Sequence, residues 1–259
     1  MGITYGDMMF EIFTNALDAL FSCCKTDYGI GRVPGFKEAG QYFVYLNSPT
    51  GRLNFHDDDG VYYNRFVPEY MAFRYGENYT AQMGRDSKRL ADLKFSINYS
   101  LKGLYYYDKA LTDKGIKPDV SDAPLDKYIS NIGTGTFRSS HADEKLTYIG
   151  YHGGYTNIPH DMLDLGEFVF ASDGVMWACD LGKDDYGLPG YFQISGYNIY
   201  RKRPEGKNCL VLNPAKDVSN YFGQEVGANT ELVLLDENKP KGAMAALDLT
   251  KAYSRDASK

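Results

Sequence analysis

The 259-residue chain has only four cysteines, Cys23, Cys24, Cys179 and Cys209, and none falls in a CxxC pair or at finger spacing. That removes a zinc ribbon and leaves the redox compartment undecided. Histidine is as sparse: His56, His141, His152 and His160. No apolar run reaches the ~20 residues of a membrane-spanning helix. The first residues show no basic region, apolar run and cleavage site of an export signal. There is no basic stripe; 28 Lys and Arg against 34 Asp and Glu give a net charge of -6, the wrong sign for a nucleic-acid backbone. Arg201, Lys202, Arg203 and Lys207 are the one tight basic cluster. Gly133-Thr134-Gly135 lacks the lysine and strand-to-helix continuation of a phosphate cradle. The absence of a GxSxG elbow removes the serine-hydrolase case. Tyrosine, by contrast, is abundant at 23 residues. Its apolar body and polar tip suit carbohydrate grooves and tyrosine-rich cores alike.

Met8, Met9, Ile12, Phe13, Ala16, Leu17, Leu20 and Phe21 recur at three- and four-residue spacing, which predicts a core-facing helix over 7–24. GQYFVYLNSPTGRLNFHDDDG reads as an apolar strand, a turn at Pro49-Thr50-Gly51 and a second strand ending in an acidic loop. This is a hairpin inserted between helices, its loop lining the helical half. Pro68 and Glu69 mark the start of another helix, and further helices are expected at 79–90 and 97–111. The stretch 112–126 is polar and broken by two prolines and a glycine, as a linker is. Short strands follow at 136–139, 146–151, 167–171, 175–179, 209–212, 231–235 and 244–249, with turns at 172–174 and 236–238. No long helical pattern interrupts them, so an antiparallel sandwich is expected. Neither layer closes on itself, and the sequence reads as a segment of a larger molecule.

Several residue groups could carry chemistry. His160 follows Pro159 and precedes Asp161, Asp164 and Gly166, where a loop enters a strand. Asp180 comes one strand later. Asp164 and Asp180 could meet across the sheet and hold a metal with a nearby imidazole; equally, they could cap turns or pair with basic residues. Tyr186 and Tyr191 sit on a glycine- and proline-rich turn, with Tyr200 beside Arg201 and Arg203. Such a surface could hold an anionic sugar, or be a salt-laced loop. Asn54, His56 and Asp57 to Asp59 form a second polar focus, too compact for an EF-hand. Cys179 and Cys209 lie in apolar runs and are expected as buried thiols.

From Gly133 to about Tyr253 the chain resembles the C-terminal region of heparinase II/III-like polysaccharide lyases, through FRSSHAD, YIGYHGG, PHDMLDLGEFVF, VMWACDLGKDDYGLPGYF, YRKRPEGKNCLVLNP and MAALDLTKAY. YGDMMFEIFTNALDALF, TDYGIGRVPGFKEAG and RLNFHDDDG resemble the closing helices of that family's toroid. The resemblance implies a multidomain α + β fold: a partial α/α toroid with an inserted hairpin over 1–121, followed by a partial antiparallel β-sandwich over 122–259. It implies β-elimination on a uronate-containing polysaccharide, with His160 and Tyr5 as catalytic candidates. Tyr186, Tyr191, Tyr200, Arg201, Arg203 and His56 would bind substrate. In metal-bearing relatives the ligands correspond to Met162, Asp164, Asp180 and Lys207. The resemblance therefore implies a degraded zinc site and no cofactor, with Asp164, Asp180, Lys207 and Asn208 as a structural polar cluster. Implied partners are an acidic polysaccharide or uronate oligosaccharide, without nucleic acid or membrane insertion, in a periplasmic or extracellular location. The 259-residue piece alone is expected to show little turnover. A non-catalytic carbohydrate-binding protein and a structural β-sandwich module are the alternatives.

Overall fold

The helical periodicity of the N-terminal segment produces α1, Ile3–Cys24. Its apolar residues do not all face one core: Leu17 is buried, whereas Met8, Met9, Ile12 and Phe13 are exposed. The computed structural model describes residues 3–58, 66–76, 79, 101–119, 123–214, 223–239 and 242–255. They divide into two compact units, one of Thr4–Asn47 with Val61–Ala123, the other of Met1–Ile3, Ser48–Gly60 and Pro124–Lys259.

In the first unit, α1 is joined by short helices α2 (Phe36–Ala39) and α3 (Gln41–Tyr45), then by α4 (Val67–Tyr75) and α5 (Leu101–Thr112). Pro68 stands in the first turn of α4, where its missing N–H costs nothing. Tyrosines and phenylalanines fill the core: Tyr106 meets Tyr70 edge-on at 5.0 Å and stacks on Phe66 at 6.3 Å. The strand expected at 41–45 is the helix α3 instead. Phe43, Val44 and Tyr45 are all buried in succession, which an alternating half-buried strand does not allow. The helix expected at 79–90 lies outside the described residues except for Tyr79.

In the second unit, β1 (Asn47–Ser48) and β2 (Gly51–Arg52) are all that remains of the expected hairpin. The segment after it packs with the sheet unit rather than the helical half. Leu53 and Phe55 are buried, Phe55 lies 5.2 Å from the His152 ring, and a Cβ on Gly150 would fall 2.2 Å from Leu53. A five-stranded antiparallel meander runs β3 (Lys127–Ile129), β4 (Thr134–Arg138), β5 (Tyr148–His152), β6 (Phe168–Ser172) and β7 (Val175–Ala178) in spatial order. The hairpin β8 (Glu231–Lys239) and β9 (Gly242–Asp248) forms a separate sheet. Strand β8 continues through the expected turn at 236–238, because Asn238 exchanges hydrogen bonds with Asp126 at 2.8 and 3.1 Å. Residues 209–212 form no strand; side chains hold this segment, with the Tyr253 hydroxyl donating to the Leu210 carbonyl. Nor are the thiols there fully buried: Cys179 is exposed and Cys209 half-buried. Separate helical and sheet regions thus make a mixed α + β fold, with no closed toroid or barrel among the described residues. No helix among them is long and apolar enough to cross a membrane.

Two glycines with positive φ separate backbone strain from crowding. Gly174, in the β6–β7 turn, has φ +76 and open space where a Cβ would stand; Gly133 has φ +66 and would place a Cβ 2.3 Å from Gly154 N. Gly174→Ala should cost about 1–2 kcal/mol from the left-handed conformation alone. Gly133→Ala should cost about 2–4 kcal/mol, because overpacking adds to it. Urea unfolding of both variants checks the difference, and equal losses would contradict it.

Candidate functional site

Strand β5 ends at His152, but its pairing does not. His152 N–H donates to the Glu167 carbonyl at 2.8 Å, and Gly166 N–H donates back to the His152 carbonyl at 2.8 Å. The chain between them is therefore a closed loop whose ends lie against β5, so Asp164 and Glu167 return beside His152. Asp164 is fully buried. Its Oδ2 accepts the backbone N–H of His56 at 3.0 Å and lies 3.2 Å from His56 Nδ1, while Oδ1 lies 3.7 Å from His152 Nε2. His152 Nδ1 is 3.0 Å from Thr134 Oγ1. Burial, with His56 second, pushes the His152 pKa down to about 3, so this imidazole is neutral. Burial alone would raise Asp164, but His56, His152 and Lys207 outweigh it and hold its carboxyl well below the usual range.

A second buried group adjoins the first. Lys207 Nζ donates to both oxygens of Asp180, at 2.9 and 2.7 Å. Burial opposes its charge, yet Asp180, Glu167 and Asp164 raise its pKa overall. Burial and then Asp180 push the Glu167 carboxyl well above its usual range. Asn208 bridges this group to β7 by donating from Nδ2 to the Cys179 carbonyl at 2.8 Å. Its backbone N–H meets Glu167 Oε1 at 3.3 Å.

Nearer the surface, three groups converge. His160 Nδ1 is 2.6 Å from Asp57 Oδ2. The Tyr186 hydroxyl donates to the same oxygen at 2.9 Å and lies 3.3 Å from His160 Nδ1. Asp57 is buried and His160 is one-quarter exposed. Phe192 closes the group, 5.7 Å from the His160 ring and 5.0 Å from that of Tyr186. Asp57, Pro159, His160, Tyr191, Phe192 and Ile194 line part of a cleft of about 560 Å³.

The other expected binders divide. Tyr200 is exposed, whereas Tyr191 and His56 are buried. Burial, with Asp57 second, pushes Tyr191 up to about 12. Arg201 braces a loop, donating to the carbonyls of Leu181 and Lys183 at 2.7 and 3.0 Å. Arg203 pairs with Glu205. Lys202 is buried and donates to the Tyr191 carbonyl at 2.9 Å. Of the sequence's basic cluster, only Arg201 keeps its side chain well exposed; Arg203 is paired and Lys202 and Lys207 are buried. Tyr5 lies on α1, in the helical unit. Sequence reasoning missed Asp57 as a partner of His160, and Glu167 and His152 altogether. The acidic run at Asp57 was visible, but nothing near it in sequence points to His160.

Comparison with protein-family models and with curated proteins finds no match to the sequence. Solved structures do match. Heparan sulfate lyase HepC from Pedobacter heparinus superposes with a TM-score of 0.57 at 17% identity, over 90% of this chain and 31% of that one. A heparinase III gives 0.58 at 14% identity, over 94% and 34%. A heparinase III with methylated lysines gives 0.59 at 15%, over 91% and 31%. The chain has the fold of heparinase II/III-like lyases over most of its length. It spans about a third of the length of these proteins.

The expectation of a degraded zinc site and no cofactor is overturned. His56, His152 and Asp164 bring metal-ligating atoms within 4.8 Å of one another, all buried. Met162 and Lys207 do lack imidazole, but the imidazoles here come from elsewhere in the chain. This donor set suits zinc.

Lys207→Met should cost about 3–5 kcal/mol, because it strands the buried charge of Asp180; urea unfolding measures it. Glu167→Gln tests the raised pKa of this carboxyl. A carboxyl whose folded pKa is raised contributes stability that is fully present below its unfolded pKa of about 4.3 and is lost as pH rises toward the folded value. The variant should therefore match the parent at about pH 4 and exceed it in stability at about pH 7. A parallel offset at all pH values would contradict the assignment.

Proposed function

We propose that this chain is part of a carbon–oxygen lyase that cleaves uronate-containing polysaccharide by β-elimination, outside the cytoplasm, where such polymers occur. The observation that carries the reading is the Asp57–His160–Tyr186 contact at the cleft. In the reaction a base removes the proton from the carbon beside the uronate carboxylate. The electron pair forms a carbon–carbon double bond, the bond to the glycosidic oxygen breaks, and that oxygen takes up a proton. Imidazole and phenol can do both proton steps. Asp57 is the positioning residue: a buried carboxylate on Nδ1 sets the tautomer and ring orientation of His160. Lys183 Nζ stands 4.6 Å over the Tyr186 ring, which places positive charge where a phenolate would form. Tyr5 is a second candidate for proton transfer. Exposed Tyr200 and the aromatic wall of Tyr186 and Phe192 offer faces for sugar rings. A metal at His56, His152 and Asp164 would supply fixed positive charge in the same unit; no proton step here is assigned to it.

Titrating a panel of uronate oligosaccharides into the chain, with unsaturated-uronate absorbance followed in parallel, tests the reading. Saturable binding is expected, weakened at least about tenfold in His160→Ala and in Tyr186→Phe, or about 1.4 kcal/mol. Turnover where it occurs should fall at least about 10²-fold in His160→Ala. Binding without turnover under any condition would favour a carbohydrate-binding protein, and no binding by any uronate would sink both.

A further inference from the structure

We propose that His56, His152 and Asp164 form a binding site for one divalent transition-metal ion of the zinc class. The set shares only Asp164 with the positions that the sequence resemblance implies, and it stands independently of the lyase reading. Three segments far apart in sequence supply it: the stretch after β2, the end of β5 and the loop returning to β6. His56 Nδ1, His152 Nε2 and Asp164 Oδ1 are each buried; His152 Nε2 and Asp164 Oδ1 stand 3.7 Å apart without a hydrogen bond, and His56 Nδ1 makes no well-aligned one, although it lies 3.2 Å from Asp164 Oδ2. Their donor atoms converge within 4.8 Å.

Two of the remaining atoms, Asp164 Oδ2 and His152 Nδ1, are already engaged. Asp164 Oδ2 takes the His56 backbone N–H at 3.0 Å. Thr134 Oγ1 reaches the Ile132 carbonyl at 3.4 Å, so its hydrogen has an acceptor, and its oxygen can receive an N–H from His152 Nδ1 at 3.0 Å. That tautomer leaves a lone pair on His152 Nε2, facing Asp164. An outer hydrogen bond that sets the tautomer of an imidazole is the usual support of a histidine ligand. Lys207 does not repel a cation outright, since Asp180 holds its ammonium at 2.7 Å. Two imidazoles and one carboxylate suit zinc and its neighbours; calcium and magnesium prefer all-oxygen sites.

The test uses the 259-residue chain, stripped with a chelator and titrated with zinc against a chromophoric competitor. About one zinc per chain is expected to bind, with a rise in the thermal midpoint and no comparable effect of magnesium or calcium. His152→Gln and Asp164→Asn should each weaken zinc binding more than about 100-fold. Cobalt(II) in place of zinc should give visible ligand-field bands without thiolate charge transfer. The exposed cysteines, Cys23 and Cys24, are the obvious adventitious ligands, so binding should survive Cys23→Ser with Cys24→Ser. No zinc retained, binding unchanged in both His152→Gln and Asp164→Asn, or a thiolate band lost with the cysteines would each overturn the proposal. Should the two site variants fail to fold, the cobalt spectrum and the cysteine variant decide.

Discussion

A carboxylate sealed from water must be compensated where it sits, and Asp164 is such a group. A backbone N–H and an imidazole from His56 and a second imidazole from His152 face it, and Lys207 beside it is matched by Asp180. Removing any one of these leaves charge without an answer in a medium of low polarity. The three segments they belong to are therefore pinned together, and the pinning reaches the surface. Asp57 follows His56 directly and His160 lies four residues before Asp164. The contact between Asp57 and His160 at the cleft is thus a consequence of the arrangement beneath it.

Backbone strain falls on the same residues. His56 and His160 both have positive φ, at 64 and 63, a conformation that costs a non-glycine residue about 1–2 kcal/mol. Both lie in turns, and His160 follows Pro159 in the turn that the Asp161 N–H closes on the Ile158 carbonyl at 3.1 Å. Each lies beside a buried carboxylate that its imidazole contacts, Asp164 for His56 and Asp57 for His160. These contacts hold each ring against its carboxylate.

Part of the charge in the second unit is buried, Asp57, Asp164, Glu167, Asp180, Lys202 and Lys207 among it, which alters what its composition means. Lys202 and Lys207 are buried, Arg201 is spent on loop carbonyls and Arg203 on Glu205. The cleft is lined by Tyr191, Phe192, Ile194 and Tyr197 together with His160, Asp57, Asp161 and Lys202. The aromatic faces among these suit sugar rings.

Local pattern determined a good deal. Apolar spacing of three and four gave α1, proline and glutamate marked α4, and the turn at Asp173-Gly174 separated β6 from β7, all because these signals act over a few residues. The resemblance in 133–253 pointed to the fold that the solved structures share. Packing decided the rest. YFVY is a helix with three successive residues buried, and 209–212 is irregular, with its Leu210 carbonyl taken by the Tyr253 hydroxyl. The site was legible in part: His160, Asp164, Asp180 and Lys207 stand close in sequence and were visible together. Asp57 and His56, about a hundred residues away, were not, since their contacts arise only when a closed loop on β5 presents a buried carboxylate for them to meet. Residue type and spacing fix local conformation, whereas partners for a buried charge are chosen by the whole fold.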